Sequence, residues 1–252
     1  VPTVASVTST KTDRGYTVGT TIPITITFNQ TVTVTGTPQL TLETGTTDAV
    51  VDYASGTGTE TLTFNYVVAA GQNSSDLDYT STSALALNSG TIKDAAGNAT
   101  SLTLASPGAS GSLGANKALI IDTTSPTVSS VSSTKANAAY KVGESIPINV
   151  NFDEKVYVTG TPQLTLETGT TDAVVDYSSG SESTTITFNY TVASTHNISD
   201  LDYTSTSALA LNSGTIKDAS GNAATLTLPT PGATGSLGAN KAIIIYNLSP
   251  TL

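Results

Sequence analysis

The chain has 252 residues, enough for one large domain or two of ordinary size. Only 11% of them are charged, yet the formal net charge is −10 and the pI is near 4.2. That balance argues against nucleic acid, whose phosphates need a basic face, and the absence of cysteine excludes both a disulfide frame and a thiolate metal site. The bulk is Thr, Ser, Gly, Ala, Val and Leu, which suits many short strands joined by tight turns and suits helices poorly. No methionine is present, even at position 1, so a processed or excised piece is expected. No signal peptide and no membrane span is recognisable, and any anchor is expected outside this piece.

Residues 1 to 128 find their counterparts 124 positions later without a gap, and Val34 to Tyr53 is identical to Val158 to Tyr177. Pro2, Pro126 and Pro250 mark the same point in successive units. A period this long means whole domains in tandem, because solenoid repeats are several-fold shorter. The expected boundaries are 1–122 for the first repeat, 123–126 for a linker and 127–252 for the second.

Within each unit the apolar residues alternate with a period of two. Ile22, Ile24, Ile26 and Phe28 do so, as do Leu62, Phe64 and Tyr66, and Ile146, Ile148, Val150 and Phe152 repeat the pattern. That is the half-buried strand of an antiparallel sheet. Pro23 and Pro147 point to an edge or to the first residues of a strand.

In the second unit the pattern predicts strand A at 128–133, B at 145–152, C at 163–167 and D at 173–177. Strand E follows at 184–192, F within 201–217, and G ends at 243–245. The fold class expected is all-β, two tandem immunoglobulin-like (Greek-key) antiparallel β-sandwich domains. The unit exceeds a plain domain of this class in two places, the F region with Asn212-Ser213-Gly214 and the Gly-Pro-rich stretch from Pro229 to Gly238. The first reads as a bulge or as a tight hairpin; a hairpin reverses the strand that follows.

Tyr140-Lys141-Val142-Gly143-Glu144, Phe152-Asp153-Glu154-Lys155-Val156, Lys217-Asp218-Ala219-Ser220-Gly221-Asn222 and the Asp122-Thr123-Thr124-Ser125-Pro126 linker resemble the bacterial immunoglobulin-like repeats of large cell-surface and biofilm adhesins. The resemblance covers both units. It implies tandem β-sandwiches, exported to the bacterial cell surface, that serve as a spacer in cell adhesion between anchor and adhesive tip. It also implies that calcium is a candidate ion at domain junctions.

Catalysis is not expected. The single histidine, His196, stands opposite Gln72 in the other copy. The carboxylate pairs Asp76/Asp78 and Asp200/Asp202 have the composition of a glycosidase dyad, but acids beside a turn are ordinarily solvated, and an active site is not usually duplicated.

Calcium needs several oxygens converging from separate loops. If Asn212-Ser213-Gly214 is only a kink, the strand count places Asp153, Glu154 and Asp218 at the end of the second unit that meets the linker carrying Asp122, with Asp76 and Asp78 of the first unit near the same junction. Opposite Asp153-Glu154 the first unit has Asn29-Gln30, and opposite Asp122 the last linker has Tyr246. No consecutive DxDxDG loop is present. The Asp94-to-Asn98 and Asp218-to-Asn222 segments read first as turns, with metal ligation as a second role for the Asp.

The alternating threonines Thr31, Thr33 and Thr35 raise a second reading, an adhesion module that binds glycan or another surface ligand directly, but the other copy breaks the row with Lys155 and Tyr157. Recurrent tyrosines such as Tyr66 and Tyr190 fit packing better than a sugar platform. Expected partners are neighbouring repeats of the same polypeptide and, in the second reading, a surface glycan or protein. Nucleic acid and membrane insertion are not expected, and the piece is expected to be a monomer.

Overall fold

A computed structural model describes residues 1–247, so Pro250 lies outside the described residues. The chain divides into two compact units, Val1–Thr124 and Ser125–Leu252, and the division falls inside the expected linker. In the first unit the strands are β1 (Val4–Ser9), β2 (Arg14–Tyr16), β3 (Thr21–Thr35), β4 (Gln39–Glu43) and β5 (Ala49–Ser55). They are followed by β6 (Thr59–Val67), β7 (Asp78–Tyr79), β8 (Leu85–Ala86), β9 (Thr91–Lys93), the one-turn helix α1 (Leu113–Asn116) and β10 (Leu119–Ile121). The second unit repeats them as β11 (Val128–Ser133), β12 (Ala138–Tyr140), β13 (Ser145–Thr159), β14 (Gln163–Glu167) and β15 (Ala173–Ser179). Then come β16 (Ser183–Thr191), β17 (Asp202–Tyr203), β18 (Leu209–Ala210), β19 (Thr215–Lys217), α2 (Leu237–Asn240) and β20 (Ile243–Ile245).

The hydrogen-bonded order in the first unit is β1-β3-β6-β5-β4-β7, with β8 on β4 and β9 on β3, and the second unit has the same order. Strands β1, β3, β6 and β5 reproduce the A-B-E-D order of an immunoglobulin-like sandwich. The core is the inward face of these strands. Ile22, Ile24, Ile26 and Phe28 meet Leu62, Phe64 and Tyr66 in one cluster, and Ile146, Ile148 and Val150 meet Ile186, Phe188 and Tyr190 in the other. Truncating a buried Phe such as Phe64 or Phe188 to Ala costs about 3–5 kcal/mol. Pro23 is tolerated because β1 reaches only to the pair Ser9↔Ile24, so the missing N–H falls beyond its end; Ser9 Oγ donates to the Pro23 carbonyl at 2.7 Å.

The long strand β13 does not stop where the predicted strand B ends. Its pairing with β16 shifts register between Asn151 and Val156, a bulge that puts Asp153 and Glu154 outside the regular ladder. Beyond the bulge, Tyr157 to Thr159 pair with β19.

The predicted strand F is three short pieces, and the interruption at Asn212-Ser213-Gly214 is a kink. Thr159↔Thr215 and Gln163↔Ala210 belong to one antiparallel ribbon, so the direction is kept and the hairpin alternative fails. Asn212 and Ser213 take the left-handed conformation, with φ of 45° and 64°. The kink depends on two glycines in contact: a Cβ on Gly160 would lie 2.8 Å from Gly214 Cα, and one on Gly214 would lie 2.4 Å from the Thr159 carbonyl oxygen.

Two elements escape the seven-strand pattern. The short strands β2 and β12 pair in parallel with β10 and β20, and three-residue segments are too short to show a period. In the Gly-Pro-rich stretch, Ser236 caps α2 by accepting from Ala239 N–H, and Asn240 Nδ2 donates to the Val131 carbonyl at 2.8 Å.

The kink carries a prediction. Gly214→Ala lowers the stability of the second unit by about 2–3 kcal/mol in urea unfolding, because the new methyl collides with backbone. Gly143→Ala sits at a positive φ of 86° with no atom in the way, so it costs only the left-handed strain of about 1 kcal/mol. Equal losses at both positions would contradict the matched-glycine account.

Candidate functional site

The bulge in β13 and the turn that follows β19 come together in the second unit. Asp218 builds the turn. Its Oδ1 accepts from the N–H groups of Gly221 (2.7 Å) and Asn222 (2.8 Å), and its Oδ2 accepts from Asn222 Nδ2 (2.7 Å). Asp218 is 5% exposed. Asp94 holds Asn98 in the same way in the first unit, and these bonds to Asn98 hold its carboxyl below the usual range.

The residue that the bulge presents to this carboxylate differs between copies. In the first unit Gln30 Nε2 donates to Asp94 Oδ2 at 3.1 Å. In the second unit the equivalent residue is Glu154, and a carboxylate oxygen of Glu154 lies within 4.8 Å of one on Asp218. An amide on a carboxylate is an attractive pair, whereas two carboxylates at that separation repel unless a proton or a cation intervenes. The donor chemistry suits a hard divalent cation. Asp218 and Glu154 bring carboxylate oxygens to one place from two different elements.

The other predicted acids have different surroundings. Asp153 fastens the start of the second unit, accepting at Oδ1 from Thr127 N–H (2.8 Å) and at Oδ2 from Thr127 Oγ1 (2.6 Å). These bonds hold its carboxyl below the usual range. Asn29 does the corresponding work on Thr3 in the first unit at 2.9 Å, so the bond needs an oxygen and not a charge.

Asp122 follows β10; its N–H donates to the Tyr16 carbonyl, and its Oδ1 accepts from Thr124 N–H at 3.0 Å. Asp76 and Asp78 lie beside α1. Asp78 is buried, with Oδ1 accepting from Tyr79 N–H and Oδ2 from Gly108 N–H, both at 2.9 Å. A Cβ on Gly114 of α1 would lie 2.9 Å from Asp78 Oδ2 and 3.3 Å from Asp76 Oδ2. Burial, then the charges of Asp78 and Asp13, push the Asp76 carboxyl up. The pair recurs as Asp200 and Asp202 around Gly238.

No protein-family model matches the chain, and no curated protein is detectably similar to it.

The lone histidine has a structural post. Tyr190 Oη lies 2.8 Å from His196 Nδ1, and Ala193 N–H donates to the same nitrogen at 3.2 Å. In the first unit Tyr66 Oη and Ala69 N–H donate to Gln72 Oε1 at 2.8 and 2.9 Å. Nδ1 therefore replaces an amide oxygen as acceptor, which requires the neutral ring with its proton on Nε2. Tyr79 and Tyr203 are likewise buried and donate to the carbonyls of Ala105 and Pro229. Sequence pattern marks Gln72 and His196 as equivalent positions; it carries no sign that both are acceptors for one buried hydroxyl.

A pH dependence follows. Burial lowers the His196 pKa from its ordinary 6.5, so the unfolded chain takes up the proton first. The stabilising contribution is present above about pH 6.5 and is lost as the pH falls from there through the lowered folded value. Thermal melts should show the wild type losing stability across that window relative to His196→Gln, which copies the first unit. Parallel pH profiles for the two proteins would contradict this role.

Proposed function

We propose that the two units are non-enzymatic spacer repeats of a bacterial cell-surface adhesin, exposed outside the cell, and that a calcium ion bound at Glu154 and Asp218 stiffens the joint. The observation that carries the cation is the exchange of Gln30–Asp94 for Glu154–Asp218 at one position of an otherwise repeated scaffold. Repetition itself supports the spacer reading, since length and presentation are gained by adding copies of one fold. The structural employment of His196 and of the buried tyrosines supports it too, because the residues best suited to catalysis or to stacking a sugar are spent on holding loops. Main-chain carbonyls and water complete the six to eight oxygens that calcium takes. Asp153 is left out of this set because both its oxygens serve Thr127, and Asp78 because its oxygens serve Tyr79 and Gly108, with Asp76 beside it at α1.

Melting with calcium and with chelator tests the reading. An ion held only by the folded state raises the midpoint, by about 2.7 kcal/mol of stability at a hundredfold excess over its dissociation constant. Glu154→Gln installs the first unit's hydrogen bond: it should raise the chelator midpoint and abolish the calcium response. Asp153→Asn should leave the response intact. A calcium response that survives Glu154→Gln, or a chelator midpoint lowered by it, would overturn the assignment.

A further inference from the structure

Each unit has an open seam between two strands that part company. Strands β5 and β6 are paired at Tyr53↔Phe64 and Ser55↔Thr63, and the pairing goes no further. Ala49 to Asp52 continue alongside β4 alone, and Asn65 to Val67 alongside β3 alone. The cleft between them has a volume of about 490 Å³ and runs from Asp48 to Asp52 on one wall and from Asn65 to Val67 on the other, with Gln72 beside it. In the second unit the matching cleft, about 440 Å³, lies between Ala173–Asp176 and Asn189–Thr191, with His196 beside it.

The parity of the strands decides where their backbone groups point. Thr41 N–H donates to Ala84 and its carbonyl accepts from Thr80, so Thr41 is bonded away from β5, and Leu40 and Leu42 are the residues bonded toward it. Tyr53 N–H to the Pro38 carbonyl continues that set. Their partners Val51 and Ala49 therefore use their N–H and C=O on β4, and Val50 turns both of its groups to the cleft. On the other wall Val68 exchanges bonds with Thr20 and Gly19, which puts Tyr66 on the β3 side and turns the groups of Val67 to the cleft. Val50 and Val67 are 59% and 55% exposed, and Val174 is 60% exposed. Two strand edges thus face one space, a geometry that accepts an extended chain by ladder hydrogen bonds on either side.

The charges select the kind of chain. Asp48 and Asp52 line the first cleft and Asp176 the second, and no lysine or arginine lines either. A second copy of this protein, at a net charge of −10, is repelled from such an edge, and acidic edges of this sort keep copies from pairing. We propose that the β5–β6 and β15–β16 seams are docking clefts for an extended, lysine- or arginine-bearing segment of a partner protein, which adds as a strand to the open edges. The proposal is independent of the cation reading, because none of the acids assigned to the ion lines either cleft.

The probe is a short peptide of alternating lysine and valine, added to the whole two-unit chain and followed by amide NMR and hydrogen exchange. The expected result is binding that slows exchange at Val50 and Val67, and at Val174 and Thr191, with little change elsewhere. Asp48→Asn with Asp52→Asn should weaken binding to the first unit about tenfold, by removing the charges opposite lysine. Val50→Pro removes one wall N–H at an edge that tolerates proline and should abolish the added strand there; if that variant fails to fold, the Asn pair and the exchange pattern still decide. Four results would overturn the proposal: no binding at millimolar peptide, equal binding by a backbone-methylated peptide, equal binding by a glutamate–valine peptide, or protection of these amides through self-association without peptide.

Discussion

The structure depends on one long strand that has to serve two sheets. β3 and β13 run fifteen residues each. The first part is the centre of the β1-β3-β6 sheet and the last residues pair with β9 or β19. The alternation of buried residues runs unbroken through both parts, Ile146, Ile148, Val150, Phe152 and then Val156, so one face stays buried while the pairing partner changes. The register shift between Asn151 and Val156 marks the change of partner, and it takes Glu154 out of the ladder toward the turn built by Asp218. The candidate ion site is therefore a by-product of the way the sandwich closes.

The duplication supplies an internal comparison at three positions. Asn29 and Asp153 make the same bond to the start of their unit; Gln72 and His196 accept from the same pair of donors; Gln30 and Glu154 meet the same turn carboxylate. In the first two cases the ionisable residue repeats what a neutral one already does. In the third, the neutral residue donates and the ionisable one cannot, so the interaction changes sign. This separates Glu154 from the many other acids of an acidic chain.

Alternation and turn residues made the sandwich legible in the sequence. The strands at 128–133 and 163–167 have the bounds that Val128–Ser133 and Gln163–Glu167 show in the structure, since a half-buried strand writes its period directly into its residues. What did not show were the segments without a period: β2 and β12 are too short, the F region is held by the Gly160–Gly214 contact between distant residues, and α2 is a single turn set by its Ser236 cap. The acids of the site were legible as acids. That Asp153 is a fastener and Asp78 a loop post follows only from the hydrogen bonds around them.

At one position of the repeat the hydrogen bond Gln30–Asp94 gives way to the acid pair Glu154–Asp218, the proposed cation site. A crystal structure of the two-unit chain grown in calcium tests it most directly. The account predicts an ion bonded to oxygens of both Glu154 and Asp218 at about 2.3–2.6 Å, with none at Gln30 and Asp94. Density for an ion in the first unit, or a Glu154 carboxylate turned away from Asp218 with no ion between them, would contradict it.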